Sequence, residues 1–159
     1  MNFRTTSLCY LERDGKYLML HRTKKVNDTN EDKWMGVGGS FEMRESPEDC
    51  MRREVFEETG LTVTDWKYCG IVTFNSDVCP CEYMHLFKCL DWTGEMIECN
   101  EGDLEWVDKT AIPSLNIWRG DLIFLELMEQ DGPFFSLKLE YRGDELVSAY
   151  LNGNEYPIG

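Results

Sequence analysis

Long hydrophobic runs are missing from this sequence: no apolar stretch exceeds four residues, as in Leu122 to Leu125, where a membrane-spanning helix needs about 20. No transmembrane helix is expected. The first eleven residues carry one cation, Arg4, and no apolar segment long enough for a secretory leader, so no signal peptide is expected either. Histidine is scarce at two residues and proline at five. No Ser/Gly-rich or Pro-rich linker divides the chain, and nothing repeats with a period of about 20 to 50 residues. One domain over residues 1–159 is the expectation. Positive charge is also short: 16 Lys and Arg stand against 30 Asp and Glu, a net charge of −14. Such a surface repels phosphate backbones, which excludes a nucleic-acid polymer as partner. A small nucleotide remains admissible where carboxylates hold a divalent cation that reverses the local sign. Seven cysteines, an odd number with no leader, read as free thiols in a reducing, cytoplasmic setting.

What is present is an ordinary core-forming composition, 42% hydrophobic and 13% aromatic. Short β-type runs come first: Thr6 to Glu12, a turn at Asp14-Gly15, then Lys16 to Arg22, together a hairpin. The polar stretch Lys24 to Lys33 reads as a loop. Trp34-Met35-Gly36-Val37-Gly38-Gly39 follows, and its three glycines mark backbone that bends sharply or approaches something closely. Ser46 as cap, Pro47 at the first helical position and acids in the first turn predict a helix that runs to Thr59 and stops at Gly60. Strand patterns return over Thr62 to Asn75, Glu82 to Leu90 and Leu104 to Val107. A second helix is expected over Asp121 to Glu129 with Asp121 near its cap. A C-terminal β-hairpin is expected from Phe134 to Glu140 and Glu145 to Leu151. Strands before, between and after two helices make an α+β fold, a mixed sheet with helices on its faces.

In the first helix Glu54, Glu57 and Glu58 fall at i, i+3 and i+4, so three carboxylates share a sector of roughly 100°. Like charges at those spacings destabilise a helix by a few tenths of a kcal/mol each. Arg52 and Arg53 offset some of this, Arg53 to Glu57 being an i, i+4 pair. A hard divalent cation that takes oxygen ligands and is shared with substrate phosphates offsets more. A bare E-x-x-E-E is usually a solvated face, but here it sits in a frame: Gly39, five residues, Glu45, seven residues, then Arg53-Glu54-Val55-Phe56-Glu57-Glu58-Thr59-Gly60-Leu61.

That frame resembles the 23-residue signature of the Nudix hydrolases at all nine specified positions. The resemblance implies the Nudix fold, an α/β/α sandwich around a central mixed β-sheet, and Mg²⁺-dependent hydrolysis of a nucleoside diphosphate linked to another moiety, with Mn²⁺ able to substitute. It implies metal ligands at the Gly39 carbonyl and at Glu54, Glu57 and Glu58, with Glu45 and Arg53 bracing the loop against the helix. Glu101, in the acidic loop before Trp106, resembles a later metal-binding glutamate. Family members take their general base either from the helix or from such a loop, so both alternatives stand.

Beyond the box, Trp34 to Gly39, Trp118-Arg119-Gly120-Asp121 and Phe134-Phe135-Ser136 resemble the oxidised-purine branch, the 8-oxo-dGTP diphosphatases. This implies release of pyrophosphate from 8-oxo-dGTP, a role in nucleotide-pool sanitation and DNA repair, and substrate contacts at Trp34, Met35, Gly38, Trp118 and Asp121. Trp118 would stack on a purine and Asp121 accept from its Watson–Crick edge. Met35 stands where better-known members have an amide, and Gly120 where they have a second Asp. The position 16 residues after Leu61 is Asp77, not the proline common in ADP-ribose hydrolases.

Three other readings compete with this one. One is hydrolysis of another nucleoside diphosphate derivative. Another is a non-catalytic Nudix module that senses a nucleotide, against which all four box glutamates are present. The third is a zinc site at Cys79, Cys81, His85 and Cys89, whose spacing is not a familiar zinc pattern. His21 reads as structural.

Overall fold

The computed structural model describes residues 2–24, 30–99 and 102–159. β1 (Phe3–Arg13) and β2 (Lys16–His21) form the expected hairpin, in register from Arg13 to Lys16. Its turn residues Asp14 and Gly15 both have positive φ, 53° and 74°, the twist that a two-residue hairpin loop requires. Next come β3 (Trp34–Met35), β4 (Val37–Ser40) and α1 (Pro47–Thr59). β5 (Thr62–Ser76), β6 (Cys81–Thr93) and β7 (Asp103–Asp108) follow, with a 3-10 helix over Lys109–Ser114. α2 (Asp121–Glu129), β8 (Phe135–Arg142), β9 (Glu145–Leu151) and β10 (Asn154–Tyr156) complete the chain.

The strands make an open mixed sheet in the order β10-β9-β8-β5-β6-β1-β2-β3, with β4 added to β1 and β7 to β2. β1–β6 and β5–β8 are parallel and the other pairs antiparallel. Because successive strand side chains point to opposite faces, β1 feeds two cores. Leu8 and Tyr10 enter the one that contains Phe124, Leu125 and Met128 of α2; Cys9 and Leu11 enter the one that contains Met51 and Val55 of α1. Met51 and Val55 are fully buried one turn apart, each stabilising the helix–sheet contact by about 2 kcal/mol. The result is the α/β/α layering expected, with both helices docked through β1.

α1 starts and stops as its sequence predicts. Ser46 and Asp49 close a capping box, Pro47 opens the helix, and Gly60 ends it with φ 80°. Three readings gain detail. Of the bend and the close approach left open for the glycine segment, the close approach holds: Val37–Ser40 is a strand paired to β1 from Thr6 to Cys9. The expected C-terminal hairpin, β8 with β9, is extended by β10 on β9. Asp121 lies beside the cap of α2 as expected: Gly120 holds the cap position without a side-chain bond, and Asp121 is the first helical residue, buried.

Candidate functional site

Arg53 organises the acidic end of α1. Its Nε and Nη2 donate to the two Glu45 oxygens at 2.7 and 2.9 Å, a bidentate fork that holds the Glu45 carboxyl below its ordinary value. Nη2 also donates to the Ser40 carbonyl at 3.0 Å, while Nη1 reaches Glu54 Oε1 at 2.7 Å and Glu57 Oε2 at 3.1 Å. One guanidinium therefore ties the end of β4, the following loop and one turn of α1 together, and its bonds to Glu45 first and then Glu54 push its pKa up against the opposing effect of burial. Both pairings expected for it, with Glu45 and with Glu57 at i, i+4, are present.

The three helix carboxylates stand in different surroundings. The Glu57 side chain is half exposed, Glu54 is 16% exposed, and Glu58 is buried. Gly39 lies directly against Glu54: a Cβ at Gly39 would sit 2.5 Å from the Glu54 carboxyl carbon. That clearance leaves the Gly39 carbonyl, approached by the Cys50 thiol at 3.5 Å, and the Glu54 carboxylate on adjoining surfaces. The donor set, one carbonyl and several carboxylates with a guanidinium supplying positive charge among them, is hard oxygen and suits a divalent cation such as Mg²⁺. Among the described residues, no three His, Cys, Asp or Glu side chains already converge as a metal-holding cluster. Glu101 lies outside the described residues.

A cleft leads away from Gly39. One cavity of about 150 Å³ is lined by Gly38, Gly39, Thr6, Ser7 and Arg22. A second, of about 110 Å³, is lined by Trp118, Asp121, Phe74, Cys79 and Pro80. Arg4, Leu8, Asn30, Met35, Glu82 and Met84 line both, so the two are halves of one trough. A larger groove of about 660 Å³, between Tyr17, Pro113 and Leu125, shares no lining residue with it and lies away from Gly39 and Glu54.

At the far end Trp118 is fixed by an Nε1–H bond to Asn30 Oδ1 at 2.8 Å and by edge contacts with Phe74 and Tyr141. Asp121 is 6% exposed, and burial pushes its carboxyl up to about 8, Lys33 opposing and Glu82 adding to the shift. Burial favours the neutral acid at neutral pH, a form that donates as well as accepts. The space beside Gly120 is closed, because a Cβ there would lie 2.5 Å from Leu139 and 2.6 Å from the Tyr141 hydroxyl.

The raised Asp121 value has a sign that can be checked. The folded state holds this proton more tightly than the unfolded chain, so the contribution to stability is whole below pH 3.8 and is lost progressively as pH rises through about 8. Asp121→Asn removes the titration. The stability difference between variant and parent is therefore expected to move in the variant's favour from pH 5 to pH 8 in urea melts; a difference independent of pH would contradict the buried neutral acid.

Of the expected substrate residues, Met35, Gly38, Trp118 and Asp121 line the trough. Trp34 does not: its indole stacks on His21, centroids 4.4 Å apart, and His21 bonds Asp32 at 2.8 Å. Strand alternation in β3 separates it from Met35. Arg4, Asn30 and Glu82 were missed. Asn30 sits in the polar stretch read as loop, Arg4 lies on a strand with no motif around it, and Glu82 lies within the Cys79–Cys89 pattern, which was read for zinc and not for substrate. The four suggested zinc ligands are kept apart by the extended β6, where four residues span about 13 Å. Cys89 is buried in the α1-side core, and His85 Nδ1 bonds the Tyr68 hydroxyl.

An open mixed sheet layered between two helices, with the carboxylate-bearing second half of α1 braced by Arg53, defines the Nudix fold. A family model described as NUDIX domain matches residues 1–128, and the chain belongs to the Nudix family. The oxidized purine nucleoside triphosphate hydrolase of Danio rerio is 32% identical over 117 residues, 72% of this chain and 74% of that protein. YvcI, a Nudix hydrolase of Bacillus subtilis strain 168, is 32% identical over 125 residues, 76% of this chain and 75% of that one. A crystal structure of the mutator MutT protein from Bacillus halodurans superposes with a TM-score of 0.82 at 26% identity, covering 94% and 97% of the two chains. Nudix hydrolases are pyrophosphohydrolases of small nucleotide substrates that generally use divalent metals. Among the described residues, no helix is long and apolar enough to cross a membrane.

Proposed function

We propose that this chain acts as one Nudix domain that hydrolyses oxidised purine nucleoside triphosphates, 8-oxo-dGTP in particular, to the monophosphate and pyrophosphate with Mg²⁺. The observation that carries this reading is the single trough joining the Trp118–Asp121 end to the Gly38–Gly39 end beside Glu54. It is apolar and aromatic at one end, as a base requires, and bordered at the other by the glycines and the acidic helix. The relatives named as oxidized purine nucleoside triphosphate hydrolases point the same way.

Glu54, Glu57, Glu58 and the Gly39 carbonyl would hold the metal, with Glu101 a further ligand or base. Held by those groups, Mg²⁺ would supply positive charge to offset the phosphate oxygens and to make a water more acidic. The chain's own groups do the rest. Arg53 and Glu45 fix the β4–α1 connection so that Glu54 and Gly39 keep their mutual position. Trp118, locked by Asn30, offers its face to the purine, a contact usually worth about 1 to 3 kcal/mol per base. Neutral Asp121 can donate to O6 while accepting from N1–H, a paired contact that an ionised carboxylate cannot make. Met35 and Gly38 supply an apolar floor.

The test is pyrophosphate release from 8-oxo-dGTP, dGTP, ADP-ribose and a dinucleoside polyphosphate, with Mg²⁺ and with EDTA. The expected outcome is highest kcat/KM on 8-oxo-dGTP, abolished by chelation and restored by Mg²⁺ or Mn²⁺. A clear preference for ADP-ribose would overturn the substrate assignment.

A further inference from the structure

Glu82 is an ionisable group without an assigned role in the trough, whose base end it shares with the apolar Leu8, Met35, Phe74 and Met84 and with Trp118, Arg4, Asn30 and Asp121. Its Oε2 accepts from the Thr6 hydroxyl at 2.7 Å, so the carboxylate is aimed rather than loose. Its Oε1 lies 3.6 Å from Arg4 Nη1, too far for a tight bond, and keeps acceptor capacity toward the trough. Arg4 in turn donates to Ser40 Oγ at 3.1 Å, which holds the cation over the shared part of the cleft. Glu82 is close enough to Asp121 for its charge to act on that carboxyl. The pocket thus presents two acids from different walls, β6 and α2.

We propose that Glu82 is a specificity-determining residue: its carboxylate accepts the N7–H that an 8-oxopurine carries and an unoxidised purine lacks. This rests on the oxidised-purine reading above. Oxidation at C8 turns N7 from a lone-pair acceptor into an N–H donor, the one hydrogen-bonding reversal that the lesion makes on the ring. A carboxylate forms a charge-assisted bond with that donor and repels the lone pair of the normal base, so one group attracts the damaged purine and rejects the intact one. Asp121 then takes the opposite, Watson–Crick edge. Arg4 offsets the charge of Glu82, and Thr6 fixes its direction.

The experiment measures kcat/KM for 8-oxo-dGTP, dGTP and 8-bromo-dGTP, the last carrying a substituent at C8 but no N7–H. Wild type, Glu82→Gln and Glu82→Met are compared, each ratio being taken within one protein so that differences in folding cancel. Wild type is expected to favour 8-oxo-dGTP over both others by about tenfold or more, the range for a bond to a charged group. In Glu82→Gln the ratio shrinks by about tenfold through a gain on dGTP, because the amide can donate to N7. In Glu82→Met it shrinks through a loss on 8-oxo-dGTP. Turnover of 8-oxo-dGTP with the same ratio in all three proteins, or a wild type that treats 8-oxo-dGTP and 8-bromo-dGTP alike, overturns the role of Glu82 alone. Hydrolysis of ADP-ribose or a dinucleoside polyphosphate but of none of the three guanine nucleotides overturns the functional reading and this inference with it.

Discussion

Glu57→Gln is expected to lower turnover by about a hundredfold or more while leaving the melting midpoint nearly unchanged. The two halves of that expectation have separate causes. Glu57 is half exposed and, among the described residues, bonds Arg53 at 3.1 Å, so losing one surface pair costs under about 1 kcal/mol of stability. For activity the change removes a charged oxygen from the proposed metal-binding set, where even supporting groups are usually worth 10- to 100-fold. Glu58 is the poorer test because it is buried, and its replacement would disturb folding as well as chemistry. Steady-state rates across a Mg²⁺ titration, with a thermal melt of the same preparation, decide the matter. An unchanged rate at limiting Mg²⁺ would remove Glu57 from the machinery.

The second large effect separates two neighbouring glycines. Gly38→Ala is expected to destabilise the fold by roughly 3 kcal/mol or more, because the new Cβ would lie 1.9 Å from the Ser7 carbonyl oxygen and 2.7 Å from its carbon. Those atoms belong to β1, the central strand, and cannot yield without breaking the β1–β4 pairing. Gly39→Ala meets the end of a side chain instead, Glu54 at 2.5 Å, which can swing aside. Its stability loss should be smaller and its activity loss larger, since Glu54 is displaced from the Gly39 carbonyl. Urea midpoints and turnover for the two variants should therefore rank oppositely. Equal midpoints would show that β4 does not depend on the close approach at Gly38.

How much of this could be read in the chain differs by the kind of interaction. α1 was legible to the residue because a capping serine, a proline at the first helical position, an acidic first turn and a stopping glycine act over a few residues of sequence. The Arg53–Glu57 pair, four residues apart on one helix, was legible for the same reason, whereas the Arg53 fork to Glu45 was implied by the family resemblance alone. Strand pairing, however, is set between distant residues, so the glycine segment could be seen to need close approach but not what it approached: the carbonyl of Ser7, on a strand some 30 residues earlier. Trp34 and Trp118 looked alike as sequence; only the register of β3 against β2 turned one onto His21, while the contacts of the other with Asn30, Phe74 and Tyr141 placed it in the trough.

The sequence by itself determined the helix that carries the carboxylates, the charge imbalance that calls for a cation, and the alternating strands that bury both faces of a sheet. These follow from local geometry and composition, and the tertiary contacts agree with them. Tertiary structure alone decided that Arg4 and Glu82, 78 positions apart, meet across the parallel β1–β6 pair, and that Asp121 loses its charge by being buried. Both are consequences of proximity and exclusion of water, quantities that exist only once the chain has folded.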